Sequence, residues 1–196
     1  MAILKIIPGD IIIVNNRDGN FLSKSIQFFT KGWSHTAFGF FDLPKTQTIF
    51  EANLTTGITD WKKTYHTETL DLSVYRWVKP TADMEKIMWA LYDKYNGNVY
   101  GWGQLLYFIW RWAVESLGLP RRWAKKNFFP NNEICTEIIY VGLELMGDPV
   151  VNSVLAKLDR DQNTVHPADI VWICDELVAL GKMKNVYERN GYQCEL

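Results

Sequence analysis

Residues 34–54 read Ser34-His35-Thr36-Ala37-Phe38-Gly39-Phe40-Phe41-Asp42-Leu43-Pro44-Lys45-Thr46-Gln47-Thr48-Ile49-Phe50-Glu51-Ala52-Asn53-Leu54. Two runs of aromatic and β-branched residues flank Asp42-Leu43-Pro44-Lys45, a composition suited to a turn. The stretch therefore predicts strands over 34–41 and 48–54 joined as a hairpin. A hairpin turning about Leu43 sets His35 directly opposite Glu51, on one face and with Cβ atoms roughly 5 Å apart. An imidazole beside a carboxylate is held in one tautomer and one orientation. A register slip of one residue would separate the pair onto opposite faces. Taken singly, His35 reads as a half-buried strand histidine and Glu51 as a solubilising edge charge.

Working outward, the apolar run Ile11 to Val14 follows Pro8-Gly9-Asp10 and reads as a buried strand, and Leu70 to Val78 is rich in strand formers. Phe21 to Thr30 reads as a short helix. After Pro80 the period changes. Met84, Ile87, Met88, Leu91 and Tyr92 make a helical stripe over 82–95, ended by Asn96-Gly97-Asn98. Further helices are predicted over 102–117, 133–146 and 168–180, stopped by Gly118, Gly147 and Gly181, with Pro149 just beyond the third. Strands followed by helices give the α+β class, an antiparallel sheet packed against helices. A length of 196 residues suits one domain spanning 1–196.

Within Asn131-Asn132-Glu133-Ile134-Cys135-Thr136-Glu137, Asn132 as N-cap would put Cys135 at the third helical position. There the unpaired backbone N–H groups and the positive end of the helix dipole favour thiolate over thiol. The plain alternative is a small core residue. A thiol nucleophile needs a base that ionises it and later protonates the leaving group. The base needs a third group to orient it. Cys135, His35 and Glu51 supply these three types.

Composition excludes several other classes. Basic residues number 21 against 22 acidic, a net charge of −1, which argues against a nucleic-acid partner. Hydrophobic residues at 47% and charged residues at 22% describe a folded chain rather than a disordered one. Cys135, Cys174 and Cys194 are an odd set without metal-ligand spacing, which suits a reducing, cytoplasmic setting and neither a disulfide framework nor a metal site. His66, in a polar stretch, and His166, before Pro167 and Asp169, read as structural. No glycine-rich phosphate loop occurs, so no cofactor is expected. No apolar run approaches the ~20 residues of a membrane span, and the N-terminus lacks the layout of a signal peptide.

Pro8-Gly9-Asp10-Ile11-Ile12, Ser34-His35-Thr36-Ala37-Phe38-Gly39, Phe50-Glu51-Ala52, Ile134-Cys135-Thr136-Glu137-Ile138-Ile139 and His166-Pro167-Ala168-Asp169-Ile170 occur in that order. The ordered set resembles the YiiX-type branch of the NlpC cell-wall peptidase superfamily, over roughly residues 8 to 170. It is similar more distantly to lecithin-retinol acyltransferase. The resemblance implies a circularly permuted papain-like fold, in which the histidine and its partner precede the cysteine. It also implies a Cys135 nucleophile, a His35 base and a Glu51 third member.

Three functions are then in play. One is a thiol hydrolase cutting an amide in a peptide or a peptidoglycan stem. A second is a lipid-directed acyltransferase or thioesterase, and a third is a catalytically silent binding module. The segment 102–129, aromatic and basic, belongs to none of the motifs. Trp102, Leu105, Ile109 and Trp112 fall at helical spacing and read as its core face, with Tyr107, Trp110 and Val114 as a second apolar stripe. A peripheral membrane contact through 102–129, or a wall of the substrate site, is the expectation there.

Overall fold

A computed structural model describes residues 4–17, 24, 27–28, 32–41, 47–53, 55–65, 70–99, 103–120, 123, 135–160 and 162–189. Of the helix expected over 21–30, residues 24, 27 and 28 are described and are helical, and the rest fall outside; the N-cap at Asn132, and Tyr100, His66 and Cys194 fall outside as well. In chain order the elements are β1 (Ile11–Asn16), β2 (His35–Gly39), β3 (Thr48–Ala52), β4 (Thr56–Asp60), α1 (Trp61–Tyr65) and β5 (Leu70–Trp77). These are followed by α2 (Met84–Tyr95), α3 (Gly103–Ser116), α4 (Cys135–Leu145), α5 (Pro149–Leu158), α6 (Pro167–Ala179) and β6 (Met183–Arg189).

The six strands form one antiparallel sheet in the order β4-β3-β2-β1-β5-β6. The class is α+β, as the order of strand and helix patterns predicts. β1 lies between β2 and β5, and Ile11 through Val14 are all buried. Its sequence is continuously apolar because both faces of the sheet are covered. Ile11 and Ile13 enter a core with Phe38, Phe50, α2, α4 and α6. Ile12 and Val14 enter a second core with Ala37, Ile49, Trp61, Tyr65, Leu72 and Val74. A strand buried on one face only would have alternated.

The β2–β3 register differs from the expected one. Ala37, not His35, lies opposite Glu51, and Phe38 lies opposite Phe50. The offset is two residues, the repeat of the pleat, so each side chain keeps its expected face and His35 becomes a diagonal neighbour of Glu51.

Pro149, read as a terminator, is the first residue of a helix the sequence reading missed. Asp148 caps it, its carboxylate accepting from the N–H of Val150 at 2.8 Å and of Val151 at 3.4 Å. A proline at this position gives up an N–H that would have had no helical partner anyway.

α4 lies closely against β2. A Cβ built on Gly142 would sit 2.6 and 2.8 Å from two ring atoms of Phe38 and 3.0 Å from Leu91 Cδ1. Phe38 is fully buried, so its ring has nowhere to swing. Gly142→Ala should therefore destabilise the protein by about 1–3 kcal/mol through overpacking. That outweighs the gain of up to ~1 kcal/mol that alanine usually brings to a helix interior. A lowered melting temperature in thermal denaturation is the expected result, and an unchanged or raised one would contradict it.

Candidate active site

His35 opens β2, and Glu51 stands in β3 on the sheet face that carries Ala37 and Ile49. Cys135 begins the described part of α4, which packs on the other face against Phe38. The three residues come together at the end of β2, where His35 reaches from one face of the sheet to the other. Its Nε2 lies 2.9 Å from Glu51 Oε2. The ring also shares charge and a hydrogen bond with the Cys135 side chain. Cys135 and Glu51 are buried, while the His35 side chain keeps 14% of its exposure.

Electrostatics favour the ionised forms of all three. Burial works against charge on His35, but the charge and hydrogen bond of Cys135, and then those of Glu51, outweigh it and push the ring up to about 10. Burial likewise raises Cys135. The His35 imidazolium beside it overcomes that, helped by the Thr36 backbone and hydroxyl, and holds the thiol below its ordinary value. The Thr36 hydroxyl is buried and has no other hydrogen-bond partner, so a thiolate is the acceptor within its reach. Glu51 is raised by burial and lowered more strongly by the His35 hydrogen bond and charge, with smaller help from Thr59 and Tyr65. A thiolate–imidazolium pair backed by a carboxylate is the state this arrangement favours.

Two further residues of the site escaped the sequence reading. Thr59 donates to Glu51 Oε1 at 2.6 Å, and the Tyr65 hydroxyl donates to Glu51 Oε2. Thr59 lies in β4, whose stretch Thr56-Gly57-Ile58-Thr59-Asp60 carries too little alternation to read as a strand. Tyr65 did leave a signal, since Trp61 and Tyr65 are four residues apart on one short helix, their rings 5.4 Å apart.

The other candidates take structural places. His166 is the N-cap of α6, its Nδ1 accepting from the Asp169 N–H at 3.2 Å while Asp169 accepts from the His166 N–H at 3.0 Å. Burial lowers its pKa to about 4, so the ring is neutral. Cys174 is fully buried, and burial, with a smaller contribution from Asp175, raises its thiol well above the ordinary value. On α3 the expected faces are reversed in part. Tyr107, Arg111 and Val114 are buried, whereas Ile109 and Trp112 of the supposed core face are 38% and 40% exposed. Arg111 drives this arrangement. Its guanidinium forks onto Asp169 at 2.8 and 3.1 Å and donates to the Thr164 carbonyl at 2.6 Å, a role that an arginine's composition does not advertise.

A six-stranded antiparallel sheet with a cysteine-bearing helix laid on one face defines an α+β fold of the YiiX kind. The chain superposes on the crystal structure described as metalloprotein yiiX from Escherichia coli O157:H7 with a TM-score of 0.57 and 16% identity, covering 95% of this chain and 99% of that one. At that identity the likeness concerns the fold. No family model matches the sequence, and no curated protein matches it.

Proposed function

We propose that the protein is a cysteine-dependent hydrolase that cleaves an amide bond, in a peptide or a peptidoglycan stem, through a Cys135-His35-Glu51 triad. On this reading the fold is a permuted papain-like one within the NlpC superfamily. The observation that carries the proposal is the 2.9 Å contact from Glu51 to His35 Nε2, on a ring that shares charge and a hydrogen bond with a thiol held below its ordinary pKa. The Cys135 thiolate attacks the carbonyl carbon, and backbone N–H groups at the start of α4 receive the developing oxyanion. On collapse, His35 Nδ1 gives its proton to the departing amine and a thioester remains on Cys135. Water then attacks the thioester as His35 takes its proton, and the thiolate leaves. Buried free thiols at Cys135 and Cys174 suit a reducing compartment, and we assign a cytoplasmic location on that ground. Among the described residues no helix is long and apolar enough to cross a membrane.

A lipid-directed acyltransferase or thioesterase is the second reading, favoured by one observation. Ile109, Trp110, Trp112 and Trp123 are between 38% and 46% exposed, beside Arg121, Arg122, Lys125 and Lys126 in sequence. Exposed aromatic residues within a stretch whose sequence is also basic suit a peripheral contact with a membrane through residues 102–129. The yiiX structure is described as a metalloprotein. Here Glu51 is bonded to the imidazole at 2.9 Å, and no three His, Cys, Asp or Glu side chains among the described residues are placed to hold a metal ion. No step is routed through a metal.

The deciding experiment is mass spectrometry of the protein after brief exposure to peptide, muropeptide and acyl-lipid pools. An adduct on the Cys135 peptide matching a peptide acyl group supports the amidase, and a fatty-acyl adduct supports the second reading. Complete absence of any Cys135 adduct, with an adduct elsewhere, would sink both. Turnover should also fall as pH rises through about 10, where His35 loses the proton it must donate.

A further inference from the structure

The Glu51 carboxylate is buried and carries three directional partners. Its Oε2 accepts from His35 Nε2 and from the Tyr65 hydroxyl, and its Oε1 accepts from the Thr59 hydroxyl at 2.6 Å. Tyr65 is held in place by its own surroundings, packed with Trp61, Ala37 and Ile49 in the second core. Burial first, and then the negative charge of Glu51, keep its phenol protonated well past the ordinary range, so toward Glu51 it can only donate. A carboxylate left with His35 alone would keep one strong donor and two open acceptor positions in a buried place. It would then turn away from the ring or take up a proton. In either case the imidazolium loses its support and the Cys135 thiolate loses the cation beside it.

We propose that Tyr65, together with Thr59, is a positioning residue that clamps the Glu51 carboxylate against His35 and so sets the nucleophilicity of Cys135 from two positions away. This rests on the triad assigned above. The line of action runs from α1 and β4 through Glu51 and His35 to the sulfur, and neither hydroxyl needs to meet a substrate.

The test follows the rate of Cys135 alkylation by iodoacetamide against pH, which requires no substrate. Wild type, Tyr65→Phe, Thr59→Val, Glu51→Gln and the Tyr65→Phe/Glu51→Gln double variant are compared. Tyr65→Phe removes one oxygen and keeps the ring contact with Trp61. The acid-side midpoint of the profile should move upward in Tyr65→Phe and in Thr59→Val, by on the order of 1 pH unit or a tenfold loss of rate below the midpoint. In the Glu51→Gln background the Tyr65→Phe change should add no further shift, because the clamp acts only through the carboxylate. A merely structural tyrosine would lower the melting temperature and leave the midpoint alone. Profiles of both single variants superimposed on a depressed wild-type midpoint overturn the clamp while leaving the triad standing, as does an undiminished Tyr65→Phe shift in the Glu51→Gln background. A wild-type midpoint at the ~8.5 of a free cysteine overturns the proposed function and the clamp with it. Should Tyr65→Phe not fold, Thr59→Val at its half-exposed position decides by the same midpoint.

Discussion

Cys135→Ala is expected to reduce kcat/KM by a factor of ~10⁴ or more, because it removes the sulfur on which the acyl-enzyme forms. Glu51→Gln should cost roughly tenfold to a hundredfold less, since removing the orienting member leaves nucleophile and base in place. The ordering matters more than either value. In wild type, Cys135 should also be the first thiol to label with iodoacetamide near neutral pH, ahead of Cys174, which is buried and raised in pKa. Peptide mapping after limited alkylation reads this directly. Cys174 labelling faster in the native protein, or full activity in Cys135→Ala, would remove the nucleophile assignment.

The largest effect on stability is expected at Arg111. Its guanidinium and the Asp169 carboxylate are both nearly excluded from water and joined by two hydrogen bonds. Arg111→Met keeps much of the apolar stem and deletes the charge. It strands a buried carboxylate, which retains the His166 N–H at 3.0 Å and the more distant Arg160 at 3.8 Å. Breaking such a pair from one side costs about 3–5 kcal/mol. At this chain length that amounts to a fall in melting temperature of about 10 °C. Asp169→Asn in the same background should recover part of the loss, since the stranded charge is then gone. A fall of less than about 2 °C in Arg111→Met would show that the pair contributes nothing net.

How far the sequence reveals this molecule depends on which force fixes each element. The β1 to β3 region and α2 were legible because burial patterns control them. A continuous apolar run marks a strand covered on both faces, and Met84, Ile87, Met88 and Leu91 mark a buried helical stripe. The relation of His35 to Glu51 survived an error in register because the error was a whole pleat repeat. α5 is hard to read because a proline just past a helix end suggests a breaker, whereas the Asp148 carboxylate before it caps a new helix that Pro149 opens. Apolar spacing does not reveal the faces of α3, since Ile109 and Trp112 are partly exposed while Tyr107 and Val114 are buried. The core position went instead to Arg111, whose partner lies 58 residues further along the chain. β4 and Tyr65 lacked a strong local pattern, and their places in the site follow from tertiary pairing with β3 and Glu51. Composition and periodicity report local burial; they are silent on which polar groups meet across the sheet.

His35 stands where the two faces of the sheet meet, with the cysteine carried by the helical layer and the carboxylate by the layer beneath. The reactive ensemble thus has no scaffold of its own. It exists only while two separately packed interiors stay in register, joined at this point by one imidazole ring. Heating or mild denaturant that lets either layer slide by about an ångström would silence the chemistry while most of the backbone hydrogen bonds remained intact. Catalytic competence would then act as an early gauge of slippage between the layers, failing before the global unfolding transition begins.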